Sequence, residues 1–174
     1  LTDWKGQLEF LNIVEKFKDE TITYFVGDTK NINYTKKLFN EIVKRNLSNS
    51  CKILGQLNRE ELKLIYHCSN IVISAPLKAE GFGRTISESL AMKKIILAYN
   101  YGGAKDQMEK LDKIYKIKPL DQLELINKIK IIIESTSSAK YKNILEYSRN
   151  HVVKNYNTNL MLKKYLNLYQ EISS

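Results

Sequence analysis

The sequence predicts an α/β domain: a parallel sheet covered by helices on both faces. Short β-branched runs alternate with stretches of helical apolar period along the chain. Glycine or proline closes several of those runs. The length of 174 residues suits one α/β domain with a real core and is too short for two comfortable ones. Right-handed crossovers make such a layer doubly wound and Rossmann-like, with ligands at the carboxyl ends of its strands.

The elements follow in order. Trp4 to Lys18 reads as a helix, with Leu8, Leu11, Val14 and Phe17 at three-residue steps. Thr21 to Val26 is a strand of β-formers stopped by Gly27-Asp28. Tyr34 to Arg45 reads as a helix, Cys51 to Leu54 as a strand ended by Gly55, and Glu60 to His67 as a short helix. Asn70 to Ser74 is a buried strand ended by Pro76, Arg84 to Met92 a helix, and Ile95 to Ala98 a strand. Gly102-Gly103 breaks the pattern before another short helix, and Lys113 to Ile117 is the last expected strand. Beyond it the carboxyl terminus is helical, over Asp121 to Glu134, Ala139 to Asn155 and Thr158 to Glu171, with an exposed break at Ser135 to Ser138. No repeat, low-complexity segment or linker divides residues 1–174, which read as a single domain. Leu1 is not a plausible translation start, and a layer of this kind normally opens with a strand. Residues upstream, including at least one strand, are therefore expected.

Composition narrows the function classes. Hydrophobic residues at 43% and charged residues at 27% give an ordinary soluble balance. No apolar stretch approaches the roughly 20 residues that span a bilayer, and Leu1 to Lys18 lacks a signal-peptide pattern. Cys51 and Cys68 have no metal or redox spacing and read as reduced thiols of a cytoplasmic protein. The net charge of +9 admits attraction to phosphates, nucleic acid or the inner membrane face. The lysines are scattered among Glu and Asp, however, as on a solvated face. His67 and His151 supply no ligand set for a metal. The eleven tyrosines are dispersed and read as shielding the core edge, with Tyr156, Tyr165 and Tyr169 as packing residues.

The segment that carries chemistry is Glu80-Gly81-Phe82-Gly83-Arg84-Thr85-Ile86-Ser87-Glu88, at an expected strand-to-helix handover. Gly81 and Gly83 let the backbone come close to a ligand. The helix beginning near Arg84 offers free N–H groups and a positive dipole end to a phosphate. Glu88, about one turn in, can accept from a vicinal diol such as a ribose, and Glu80 from the hydroxyls of a second ring. Two carboxylates around an anion site must face sugar hydroxyls, so the pattern suits a nucleotide-sugar. A dinucleotide fingerprint is the weaker reading: Ile86 stands where its third glycine belongs, and Tyr99-Asn100 replaces the acidic residue. The bland alternative is a glycine turn with both glutamates solvated.

The Glu-to-Glu spacing around Gly-Phe-Gly resembles the family 4 retaining glycosyltransferases, which have the two-domain GT-B architecture. Thr2-Asp3-Trp4-Lys5-Gly6 is similar to that family's loop where a lysine meets the donor diphosphate. Ile53-Leu54-Gly55-Gln56-Leu57 is similar to its strand-plus-glycine facing the nucleobase, and Asn70 to Ala75 to the strand before the sugar site. Ala98-Tyr-Asn-Tyr-Gly-Gly103 is similar to its glycine pair near the donor. The resemblance covers residues 1 to 134 and extends weakly beyond. It implies one half of a GT-B fold: the donor-binding carboxyl-terminal domain, with the amino-terminal acceptor domain and the first strand absent.

The resemblance further implies that Lys5 binds the diphosphate and that Glu80, the catalytic candidate, contacts the transferred sugar. It gives the sugar hydroxyls to backbone N–H groups of Phe82, Gly83 and Arg84, and counts Gly81 among the donor-binding residues. Thr85 then seats phosphate, Glu88 holds the ribose, Gln56 and Leu57 meet the base, and Gly102 and Gly103 lie near the donor. The implied reaction is hexosyl transfer from a UDP- or GDP-sugar with retention, without a metal or other cofactor, and the isolated domain is expected to be inactive. A GT-B sugar-nucleotide epimerase and a non-catalytic nucleotide or nucleic-acid binding module are the alternatives. Two departures stand out: Asp106 where the family usually has Glu, and no glycine between Met108 and Pro119.

Overall fold

A computed structural model describes residues 1–135 and 138–173. The expected break at Ser135 to Ser138 thus falls partly outside the described residues. The chain runs α1 (Gln7–Lys16), β1 (Thr23–Val26), α2 (Ile32–Lys44), β2 (Cys51–Gly55), α3 (Arg59–Cys68) and β3 (Ile71–Ser74). It continues α4 (Arg84–Ala91), β4 (Ile95–Tyr99), α5 (Gly103–Met108), β5 (Lys116–Ile117), α6 (Gln122–Glu134), α7 (Ser138–Asn155) and α8 (Thr158–Ser173). Every described strand pairing is parallel, as the alternation of strands and helices predicts.

The strands form two pieces, β1–β2 and β3–β4–β5. β4 is the central strand of the larger piece and all five of its residues are buried. That explains its near-continuous apolar sequence, Ile95-Ile-Leu-Ala-Tyr99. α1 links the two pieces through one helix with two apolar faces. Leu11 and Val14 pack with Phe25, Leu38 and Leu47 around β1, while Ile13, with Phe17 just past the helix, packs into the core around β4. Phe10 touches both cores and meets Phe25 edge to face.

Several boundaries shift by a residue or two, and two elements differ by three residues for identifiable reasons. The first helix begins at Gln7, not Trp4, because Gly6 takes the left-handed conformation (φ +77°) and Asp3–Lys5 forms a separate 3-10 turn. The last strand is only Lys116–Ile117. Ahead of it the Asp112 carboxylate accepts the Ile114 N–H at 2.8 Å, winding Lys113–Tyr115 into a 3-10 turn. The tyrosines also correct their expected place at the core edge: Tyr34, Tyr66, Tyr99, Tyr115 and Tyr141 are buried. Tyr165 and Tyr169 are exposed instead of packed, on a helix α8 that has no buried residue.

α7 holds the larger core closed over α4. Ser148 Oγ donates to the buried Tyr115 hydroxyl at 3.0 Å, Arg149 donates to the Ala91 carbonyl, and Lys93 pairs with Glu146. The last two of these contacts anchor the carboxyl-terminal end of α4; the candidate site lies at its amino-terminal end.

Candidate functional site

The site is assembled from two loops far apart in the chain. After β3, Pro76 redirects the backbone past Leu77 and Ala79 to Glu80. The Asp3–Lys5 turn lies against this exit: Leu77 N–H donates to the Trp4 carbonyl at 2.7 Å. Gly6 makes the approach possible, since a Cβ there would sit 2.6 Å from the Ala75 carbonyl oxygen. The contact brings Lys5 Nζ to 2.5 Å from Glu80 Oε1, joining residues separated by 75 positions. The Lys5 ammonium also lies 4.5 Å from the Trp4 ring centroid, within cation–π range.

The glycine turn that follows is buttressed from behind. Gly103 N–H donates to the Glu80 carbonyl at 2.8 Å. A Cβ on Gly103 would come within 2.4 Å of the Gly81 oxygen, and one on Gly102 within 2.5 Å of the Glu80 oxygen. The glycine pair thus has a packing reason to be glycine. Gln107, buried on α5, donates to the Phe82 carbonyl and to the Gly83 carbonyl at 3.3 Å. Gly81 itself has no neighbouring atom within 4 Å of where its Cβ would stand, so its front is open.

Gly83 (φ +81°) turns the chain into α4 as its N-cap, and no side chain caps that helix. The first N–H groups of α4 therefore have no side-chain acceptor, a favourable setting for an anion. Arg84 is exposed and Thr85 half-buried in the first turn. Phe82 is 44% exposed, with its ring edge to face with Tyr156 at 5.8 Å. Asp106 is exposed on α5, and its carbonyl accepts from the Tyr156 hydroxyl at 3.3 Å.

Glu88 is half-buried on the second turn of α4, where its Oε2 accepts from the Tyr66 hydroxyl at 2.9 Å. Burial pushes the Tyr66 phenol up, and the Glu88 charge pushes it further. Gln56 is exposed and Leu57 half-buried after Gly55 (φ +74°), at the end of β2. Among the described residues, no hydrogen bond or ion pair joins Gln56 or Leu57 to the others. The structure thus brings together Lys5, Glu80 and the 81–83 turn, with Gly102 and Gly103 behind them. Glu88, on α4, and Gln56–Leu57, after β2, are not joined to that group by any hydrogen bond or ion pair among the described residues.

Sequence reasoning passed over Trp4 as a ring beneath Lys5, Gln107 as a clamp and Tyr66 as the partner of Glu88. The signal for Trp4 was present, as the chain's one tryptophan next to a candidate lysine. A cavity of about 320 Å³ lined by Trp4, Tyr34, Leu77 and Lys78 was not anticipated either. His67 is exposed and His151 stacks on Tyr147. Among the described residues no group of three or more His, Cys, Asp or Glu side chains is arranged to hold a metal ion. No helix there is long and apolar enough to cross a membrane.

Parallel strands flanked by helices, with glycine turns and charged side chains at the strand ends, define a Rossmann-like ligand-binding layer. The sequence matches the family described as Glycosyl transferases group 1 over residues 1–151. The chain belongs to that family. No curated protein matches it significantly. Among solved structures, a glycosyltransferase from Rickettsia africae is 33% identical with a TM-score of 0.89, over 99% of this chain and 46% of that one. HepE from Anabaena, solved in complex with UDP-glucose, is 22% identical with a TM-score of 0.86, over 98% of this chain and 46% of that one. The C-terminal domain of LpcC, a group 1 glycosyl transferase from Francisella tularensis, is 20% identical with a TM-score of 0.74, covering 91% and 83% of the two chains. The fold is that of the carboxyl-terminal domains of GT-B glycosyltransferases. The chain spans less than half the length of the first two of these structures.

Proposed function

We propose that this domain binds the nucleoside diphosphate sugar of a retaining glycosyltransferase and presents the sugar to an acceptor held by an amino-terminal domain. The observation that carries the reading is the Lys5–Glu80 contact at 2.5 Å. It places a cation and a carboxylate side by side at the mouth of a glycine turn, where a diphosphate and its attached sugar meet. Lys5 holds the diphosphate as a point charge, and the uncapped start of α4 at Arg84 and Thr85 supplies backbone N–H groups. Together they stabilise the charge that develops on the departing diphosphate. Glu80 faces the transferred hexose, the open front of Gly81–Gly83 lets its hydroxyls reach the backbone, and Glu88 accepts from the ribose. Gln56 and Leu57 border the base. The cationic and backbone groups carry the charge, so donor binding needs no metal. The UDP-glucose complex of HepE supports a UDP-sugar as the first donor to test.

The domain layout belongs to the same proposal. Among the described residues β1 and β3 are each paired on one side only, and a further strand would fit between them and join the two sheet pieces. The exposed apolar face of α8, including Leu162, Tyr165, Leu166 and Tyr169, would pack against the amino-terminal domain. The domain alone then binds donor weakly and transfers nothing.

Titration calorimetry with UDP, GDP and their sugars, with and without chelator, tests the reading. Binding that survives chelation and weakens at least tenfold in Glu88→Ala is expected. Unchanged affinity in Glu88→Ala refutes the ribose assignment, and a signal lost with chelator refutes metal independence. Incubating the full-length protein with donor and no acceptor separates transfer from epimerisation.

A further inference from the structure

Glu88 has a partner that the proposed role leaves unexplained. Tyr66 lies near the end of α3, 22 residues away in sequence, and is 8% exposed. A phenylalanine would fill the same space, so the hydroxyl itself needs a reason. A buried hydroxyl must find an acceptor, and this one has taken a carboxylate on a neighbouring helix. Hydrogen bonds to charged groups are the stronger kind. Among the described residues no protein donor reaches Glu88 Oε1. One oxygen of the carboxylate is thus tied to the scaffold while the other keeps its accepting capacity.

A glutamate side chain has three rotatable torsions and loses much freedom when it is ordered. Tethering Oε2 removes that freedom before any ligand arrives. We propose that Tyr66 is the positioning residue of Glu88: it fixes Oε2 so that Oε1 is preorganised to accept from one hydroxyl of a vicinal diol. The inference rests on the reading of Glu88 as the ribose acceptor. The raised phenol pKa agrees with the role, since a protonated hydroxyl donates to Glu88 throughout the neutral range. Preorganisation of this kind acts on affinity and on discrimination together.

The test compares the wild-type protein with Tyr66→Phe, using UDP, GDP and their 2′-deoxy forms in titration calorimetry. Wild type is expected to bind its ribonucleotide about tenfold more tightly than the 2′-deoxy form. In Tyr66→Phe the ribonucleotide should weaken about fivefold, and the preference over the deoxy form should fall to within about twofold. A structural role alone would weaken both forms by the same factor and keep the preference, which overturns the proposal. Melting curves check that Tyr66→Phe, which retains the ring, is folded. If wild type binds a nucleotide but shows no preference for ribose, the assignment of Glu88 fails and takes the Tyr66 role with it. Full preference retained in Tyr66→Phe sinks the Tyr66 role while leaving Glu88 standing.

Discussion

Alanine at Gly103 and at Gly81 should separate the back of the glycine turn from its front. At Gly103 a Cβ would lie 2.4 Å from the Gly81 oxygen and 2.6 Å from both Cα and O of Phe82. All three are backbone atoms, so no flexible side chain can swing aside. Overpacking of this kind costs about 1–3 kcal/mol. If the turn moves away, the 2.8 Å bond from Gly103 N–H to the Glu80 carbonyl is stretched as well, at about 1 kcal/mol. Helix propensity works the other way, because Gly103 is the first residue of α5 and alanine is favoured there by up to about 1 kcal/mol. The net loss is about 1–3 kcal/mol, or a melting temperature lower by about 2–12 °C for a chain of this size. Gly81→Ala meets no atom within 4 Å and should melt within about 1 °C of wild type. Its methyl group projects into the open front and should weaken nucleotide-sugar binding at least fivefold. Differential scanning fluorimetry and calorimetric titration on both variants decide the matter. A Gly103→Ala protein that melts like wild type refutes the buttressing of the turn. A Gly81→Ala protein with unchanged donor affinity shows that the front of the turn does not meet the ligand.

Three further outcomes follow from other parts of the molecule. Lys5→Met should weaken nucleoside diphosphate binding at least tenfold and flatten its salt dependence, read by titration at two ionic strengths; equal salt slopes would remove Lys5 from the phosphate site. Asn58 accepts from the Glu60 and Glu61 N–H groups in a complete capping box, so Asn58→Ala should cost about 0.5–2 kcal/mol in chemical denaturation. Burial pushes the Cys51 thiol up to about 11, leaving about one thiolate in a thousand at pH 8. Mass spectrometry after iodoacetamide treatment at that pH should find Cys68 alkylated and Cys51 protected until denaturant is added.

The order of elements and their parallel pairing were legible because they depend on local signals: β-branched runs, helical apolar period and closing glycines. Boundaries failed where a local backbone turn outranked the period. Gly6 cuts the first helix short although Leu8, Leu11 and Val14 keep their spacing, because periodicity does not report a left-handed residue. Asp112 likewise converts the first three residues of the last expected strand into a 3-10 turn. The candidate site divides the same way. Glu80 and Glu88 stood out by residue type and spacing, and Lys5 through the family resemblance of its loop. Tyr66 and Gln107 could not, because their roles arise from contacts made 22 to 25 positions away. The glycine pair was legible as glycine but not for its packing against Glu80–Phe82, a consequence of how α5 docks.

The Lys5–Glu80 pair bears on how a ligand would enter. The two side chains are 37% and 15% exposed, so the pair is neither fully solvated nor sealed off. An ion pair in that setting contributes no more than about 1 kcal/mol. A diphosphate carries more negative charge than one carboxylate and can accept through several oxygens, so it competes favourably for the ammonium. Exchange of this kind would move Lys5 from Glu80 to the diphosphate. On the proposed reading, it would leave a Glu80 oxygen newly available to accept from the sugar. The stitched contact of Leu77 with Trp4 keeps both loops in place while the side chains trade partners. On the proposed reading, the resting pair protects a cation and a carboxylate that are both needed when the donor arrives, and neither has to be buried alone beforehand.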